Sequence, residues 1–279
     1  MTQPPRSFTA ACIQVNAGRE VYPNVEAASA LVREARERGA DMVFMPENVA
    51  MMEWGRRNIQ AKAMPEEDHV ALTAFRDLAR DLHIWLHCGT LAVAVGDGMV
   101  ANRTYVVDSD GAIRGRYDKI HMFDVNLADG ESYKESSTFQ AGSRAVALDI
   151  PFGRLGLSIC YDLRFPHLFR ALAKAGCHYL TIPAAFTRTT GEAHWHVLQR
   201  TRAIETGCYV ISPAQTGTHA EGRQTYGHAL IIDPWGRVLA DAGEAPGIIL
   251  AKIDPEKVVE ARAMVPSLSH DRVFALDTL

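Results

Sequence analysis

The chain has 279 residues, 47% apolar and 22% charged, with 29 Lys and Arg against 33 Asp and Glu for a formal net charge of −4. A chain of this length buries roughly three quarters of its unfolded surface without disulfides, and the intermixed charges exclude gross disorder and any acidic or basic tail. A pI near 6.3 argues against a nucleic-acid partner, and a mean hydropathy of −0.08, with no apolar run near the roughly 18–20 residues of a bilayer span, argues against a membrane protein.

The stretch 8–15 is rich in β-formers and is predicted as a strand. Over 24–40, Val25, Ala28, Leu31, Val32 and Ala35 recur at helical spacing, with Asn24 as N-cap and Gly39 as the stop. The near-continuous apolar run 41–46 has the pattern of a strand covered on both faces. A helix over about 66–82 leads to strands at 84–95, 102–108 and 112–120, and a loop over 121–145 leads to a strand at 154–160. Helix 165–176, strand 178–184, helix 192–206 and strand 208–214 follow. The three late strands around DPWG (233–236) predict antiparallel pairing. A short helix from Pro255 precedes an irregular tail from about 264. No repeat or linker divides the chain, so a single α/β domain over 1–279 is expected.

Glu47, Lys119 and Cys160 stand where predicted strands end, the place where open α/β sheets bind ligands. A helix starts near Arg164 or Phe165, and its N-terminus is expected to favour a thiolate on Cys160. A thiolate, a proton-shuttling carboxylate and a fixed cation suffice for acyl transfer. Taken singly these signals are weak, because a cysteine at a buried strand end is more often core. The other cysteines, at 12, 88, 177 and 208, are read as core. With no CxxC pair and no apolar leader at the N-terminus, the thiols are expected to be reduced and the protein cytoplasmic. Eleven histidines invite a metal reading, but His83 and His87 lie in a strand-like run, and His194 and His196 are two apart on a helix, where they do not face each other. No HExxH, P-loop, GxGxxG or GxSxG occurs, so neither a metal nor a cofactor is expected.

The wording around the three residues adds to this. MPEN (45–48), YDKIHMFD (117–124) and LSICYDLRFP (157–166) resemble, in order and spacing, the signature blocks of the nitrilase superfamily of carbon–nitrogen hydrolases. The resemblance runs from the first strand to SHDRVF (269–274). It implies a four-layer α-β-β-α sandwich, with Glu47, Lys119 and Cys160 catalytic. Glu135 in YKESST (133–138) would support the lysine, and the N–H of Tyr161 would help hold the oxyanion. TGEAHWHVLQRTRAIETGCYV (190–210) and QTYGHALIIDPWG (224–236) are similar to the branch of deaminated glutathione amidases and, less closely, to the ω-amidases, whereas the segment 126–134 departs from that pattern. The implied activity is hydrolysis of a small carboxylate-bearing amide through a Cys thioester, with ω-amidase, N-carbamoyl hydrolase and nitrilase chemistry as alternatives on the same site. Arg164 and Arg188 are the candidates for the substrate carboxylate, Arg164 alternatively pairing with Asp162. Phe186 and Thr190 are expected to border the pocket. The family also implies a homodimer or larger homo-oligomer, with Trp195, Tyr209 and the tail 264–279 as candidate contacts.

Overall fold

Alternation along two short strands sets the layering. In the computed structural model, which describes residues 5–126 and 132–278, β1 (Phe8–Gln14) places Ala10 and Cys12 in one apolar core and Ala11 and Ile13 in another. After α1 (Val21–Glu37), β2 (Met42–Phe44) repeats the split: Met42 and Phe44 join the first core and Val43 the second. Residues of opposite parity point to opposite faces of a sheet, so this sheet is covered twice. α1 and, beyond the short α2 (Arg56–Lys62), α3 (Val70–Leu82) close the second core through Ala28, Val32, Phe75 and Leu78.

The sheet is completed by β3 (Trp85–His87), β4 (Leu91–Gly96), β5 (Met99–Val107), β6 (Ile113–Asp118) and the late β17 (Gly247–Ile253), in the order β17-β1-β2-β3-β5-β4 with β6 on β5. β7 (Asp124–Asn126) and β8 (Ser132–Lys134) form a separate pair. The second sheet contains β9 (Val146–Ile150), β10 (Gly153–Leu157), β11 (Tyr179–Thr181) and β12 (Tyr209–Ser212). A small hairpin of β13 (Thr216–Thr218) and β14 (Gln224–Tyr226) precedes its last strands, β15 (Leu230–Ile232) and β16 (Val238–Asp241), and the order is β16-β15-β12-β11-β10-β9.

The two sheets pack face to face: Phe8 stacks on Phe152 at 4.4 Å and meets Tyr179 edge-on at 5.3 Å. α4 (Pro166–Lys174) and α5 (Arg188–Thr206) cover the outer face of the second sheet with Phe169, Leu172, Trp195 and Ala203. At Gly156 a Cβ would stand 3.1 Å from Leu172, so its absence lets α4 lie close on β10. This is the expected α-β-β-α sandwich. Each sheet has a parallel centre, β1-β2-β3 and β10-β11-β12. Parallel neighbours need long crossovers, and α1, α3, α4 and α5 supply them. α6 (Glu256–Met264) follows β17.

Several boundaries move. α1 begins at Val21, not at Asn24; Pro23 is tolerated in the first turn, and the Asn24 amide instead ties down the preceding loop through the N–H and C=O of Gly18, both at 2.8 Å. The predicted strand 84–95 is two strands, broken at Gly89. α5 starts at Arg188, four residues early, and α2 lies in a stretch with no prediction. Trp195 and Tyr209 are not free for a subunit contact: both are buried within the chain, Trp195 donating its indole N–H to the His228 carbonyl at 2.8 Å. Of the divergent segment 126–134, residues 127–131 lie outside the described residues. Among the described residues no helix is long and apolar enough to cross a membrane.

Candidate active site

Glu47 follows β2 by three residues, and its position depends on a glycine. Gly89, between β3 and β4, has φ +59°, and a Cβ there would come within 2.0 Å of the Pro46 carbonyl oxygen. Gln215, in the link between β12 and β13, donates to the Glu47 carbonyl at 3.0 Å. The carboxylate is buried. Its Oε1 accepts from Lys119 Nζ at 3.0 Å and Asn102 Nδ2 at 2.8 Å, and its Oε2 accepts from the Ala185 N–H at 2.8 Å. Burial alone would raise the carboxyl pKa, but the Lys119 charge and hydrogen bonds from Cys160, Lys119 and Ala185 outweigh it and hold Glu47 below the usual carboxylate range.

Lys119 sits just past β6, its N–H on the Asn102 carbonyl and its own carbonyl receiving Gly142 N–H at 2.7 Å. Gly142 has no room for a Cβ, which would meet the Asp118 carbonyl oxygen at 2.3 Å. The ammonium, only 2% exposed, donates to Glu135 Oε1 and Oε2 at 3.0 and 2.9 Å as well as to Glu47. Burial works against its charge, but the charges of Glu135 and Glu47 dominate and push its pKa well up. Glu135 is anchored in turn by the Phe123 N–H at 2.6 Å. Asn102, on β5, bridges both carboxylates, reaching Glu135 Oε1 at 3.3 Å. Nothing in the sequence reading marked Asn102; its only signal was an amide inside an apolar strand.

Cys160 opens a short 3₁₀ turn, Cys160–Arg164, beyond β10, with φ +46°, in the left-handed region that costs a side-chain-bearing residue on the order of 1–2 kcal/mol. Its N–H is held by the Pro183 carbonyl at 3.0 Å. The N–H of Tyr161 makes no hydrogen bond among the described residues. Burial, then the Glu47 charge, push the Cys160 thiol pKa well up, against the opposing effect of Lys119. These effects work against the thiolate that the nearby helix N-terminus is expected to favour. The turn is fastened by Asp162, which accepts from the Ile159 N–H at 2.8 Å, Tyr117 hydroxyl at 2.6 Å, and the His121 N–H and Nδ1 at 3.1 and 2.7 Å.

Glu47, Lys119, Glu135 and Cys160 line one cavity of about 270 Å³, together with Tyr161, Phe186, Thr190 and Arg223. Phe123, Tyr133 and Tyr161 form an aromatic wall, with rings 5.0 and 5.1 Å from Phe123. Arg164 and Arg188 are not in this lining. Arg164 contacts His194 Nδ1 at 3.3 Å and lies over the Phe186 ring, away from Asp162, whose acceptor sites are already taken. Arg188 is exposed and pairs with Glu192 and Glu244. The other four cysteines are fully buried. Among the described residues one trio has metal-ligand spacing, His196, His228 and Asp241, none of which lines the cavity. The two rings bond opposite oxygens of Asp241 at 3.0 and 2.9 Å.

Comparison with known proteins shows the family and the fold. A deaminated glutathione amidase of Synechocystis is 42% identical over 96% of this chain and 99% of its own length. The crystal structure of the Caenorhabditis elegans NitFhit protein superposes with a TM-score of 0.90 at 37% identity, covering 97% of this chain and 66% of that one. Saccharomyces cerevisiae Nit3, a member of branch 10 of the nitrilase superfamily, superposes with a TM-score of 0.87 at 26% identity, covering 96% and 97%. The sequence model of the carbon–nitrogen hydrolases matches residues 9–263, and the chain belongs to that family.

Proposed function

We propose that the chain is an amidase that cleaves a small carboxylate-bearing amide through a thioester on Cys160, with deaminated glutathione as the favoured substrate. The observation that carries this reading is a buried Glu47 hydrogen-bonded to Lys119 in the same cavity as Cys160. Glu47 takes the Cys160 proton as sulfur attacks the amide carbon. Lys119 and the free Tyr161 N–H stabilise the oxygen as it gains charge. The carbon–nitrogen bond then breaks, and Glu47 passes its proton to the departing amine, leaving the thioester. Water attacks next, giving its proton to Glu47, which returns it to the sulfur as the acid is released. Glu135 keeps Lys119 charged and oriented.

The substrate preference rests on the name of the Synechocystis relative and on the block around Tyr226. Rates of amine or ammonia release from deaminated glutathione, 2-oxoglutaramate, an N-carbamoyl amino acid and an aliphatic nitrile test it. Deaminated glutathione should lead, and an acyl adduct should map to Cys160 alone by mass spectrometry. Preference for the nitrile or the carbamoyl compound would overturn the substrate while sparing the thioester route. We also propose a cytoplasmic homodimer or larger assembly. Exposed Val197, Ile204, Trp235, Val238 and Leu239, with Gly236 against Ile204, support a second-copy contact in place of Trp195 and Tyr209. A fully active species of 30.7 kDa by light scattering would overturn it.

A further inference from the structure

A carboxylate-bearing substrate needs a cation, and neither Arg164 nor Arg188 lines the cavity. Four cations do: Lys119, Arg56, Lys134 and Arg223. Lys119 spends its donors on Glu47 and Glu135. Arg56 and Lys134 are exposed to solvent, where a salt bridge is worth little. Arg223 is different. Its Nη2 donates to the Ala185 carbonyl at 2.9 Å, and its guanidinium carbon lies 5.4 Å over the Tyr133 ring. Its Nε is buried without a partner, and among the described residues no carboxylate pairs with it. A planar cation held by one carbonyl and one aromatic face, with donors unspent, is preorganised for a carboxylate. Ala185 also links it to the chemistry, because the N–H of that residue is on Glu47.

We infer that Arg223 anchors the carboxylate on the acyl part of the substrate, so that the chain selects amides of dicarboxylic or 2-oxo-dicarboxylic acids. This assignment rests on the amidase reading above and goes beyond it by naming the recognition group. Its place beside Ala185 keeps the cation next to the reacting groups, where the acyl part must lie. An arriving carboxylate would bond the half-buried guanidinium through the nitrogens that face the cavity, where partial desolvation strengthens the pairing.

Two measurements on the full chain test this. The first is the ratio of kcat/KM for 2-oxoglutaramate to that for its neutral methyl ester, in wild type, Arg223→Met and Arg223→Lys. The ratio should fall about 10- to 100-fold in Arg223→Met, the scale of a lost charge-assisted hydrogen bond, and partly in Arg223→Lys, which keeps charge but not the fork. The second is calorimetric titration with 2-oxoglutarate, whose affinity should fall in parallel. A merely structural Arg223 would lower both substrates together and leave the ratio intact, and that result overturns the inference. So does a wild type that binds no 2-oxoglutarate. If the wild type hydrolyses neither amide yet binds 2-oxoglutarate in an Arg223-dependent way, the amidase reading falls and the anchor stands.

Discussion

Two buried carboxylates serve the nucleophile turn, Asp162 from within it and Glu47 from across the cavity, and they differ in what they are bonded to. Asp162 receives four hydrogen bonds, two on each oxygen, from Tyr117, Ile159 and His121. Glu47 receives three from Lys119, Asn102 and Ala185, and its remaining acceptor site meets the Cys160 thiol. A carboxylate has about four acceptor sites. Asp162, bonded only to donors that keep their protons, is a fastener, which joins residues on both sides of Lys119 to the turn of Cys160. Glu47, whose fourth partner is a thiol able to give up its proton, is a base. Burial is common to both, so the difference in function comes from that one partner.

The contrast is broken most directly by removing charge from each carboxylate in turn. Glu47→Gln keeps shape and should lower kcat by about 10²- to 10⁴-fold, the worth of a positioned general base, with near-native circular dichroism. Asp162→Asn should instead lower stability by about 1–3 kcal/mol, because a donor replaces an acceptor opposite filled donors, and cost far less in kcat. Equal kcat losses in the two variants would erase the distinction. Lys119→Met should destabilise by about 3–5 kcal/mol in chemical denaturation, since Glu47 and Glu135 would then face each other without a cation.

The finest test is pH. Glu47 acts only when ionised, and its folded-state pKa lies below the ordinary 4.5, so the acid limb of kcat/KM should fall below pH 4.5. The same depression stabilises the fold above pH 4.5, and this contribution is lost as pH drops through the folded-state pKa. Asn102→Leu removes one donor and should move the acid limb upward by about one unit, since about 1.4 kcal/mol corresponds to one pKa unit. An unmoved limb would place Asn102 outside the tuning of Glu47.

Glu47, Lys119 and Cys160 were legible because each follows a strand and carries local wording. Asn102, Ala185 and Arg223 were not, because their role exists only across the fold: Asn102 meets Glu47 from 55 residues away and Ala185 from 138. The strands were legible from apolar runs, whereas helix starts were not. Asn24 looks like a cap and is instead a brace from inside the helix, and the weak helix formers Thr189, Thr190 and Gly191 belong to α5 because that turn packs on Tyr226, where a Cβ at Gly191 would stand 2.3 Å away. Trp195 and Tyr209 gave a subunit reading because large aromatics suit interfaces and cores alike.

The surroundings that raise the Cys160 pKa also bear on its life under oxidants. Peroxide attacks thiolates, and thiols only slowly. Burial and the Glu47 charge oppose a thiolate at Cys160, and Cys12, Cys88, Cys177 and Cys208 are buried with their thiols likewise pushed up. An idle molecule thus carries five cysteines whose surroundings all oppose the thiolate, so the step that makes Cys160 an acyl-transfer nucleophile is tied to the arrival of its substrate.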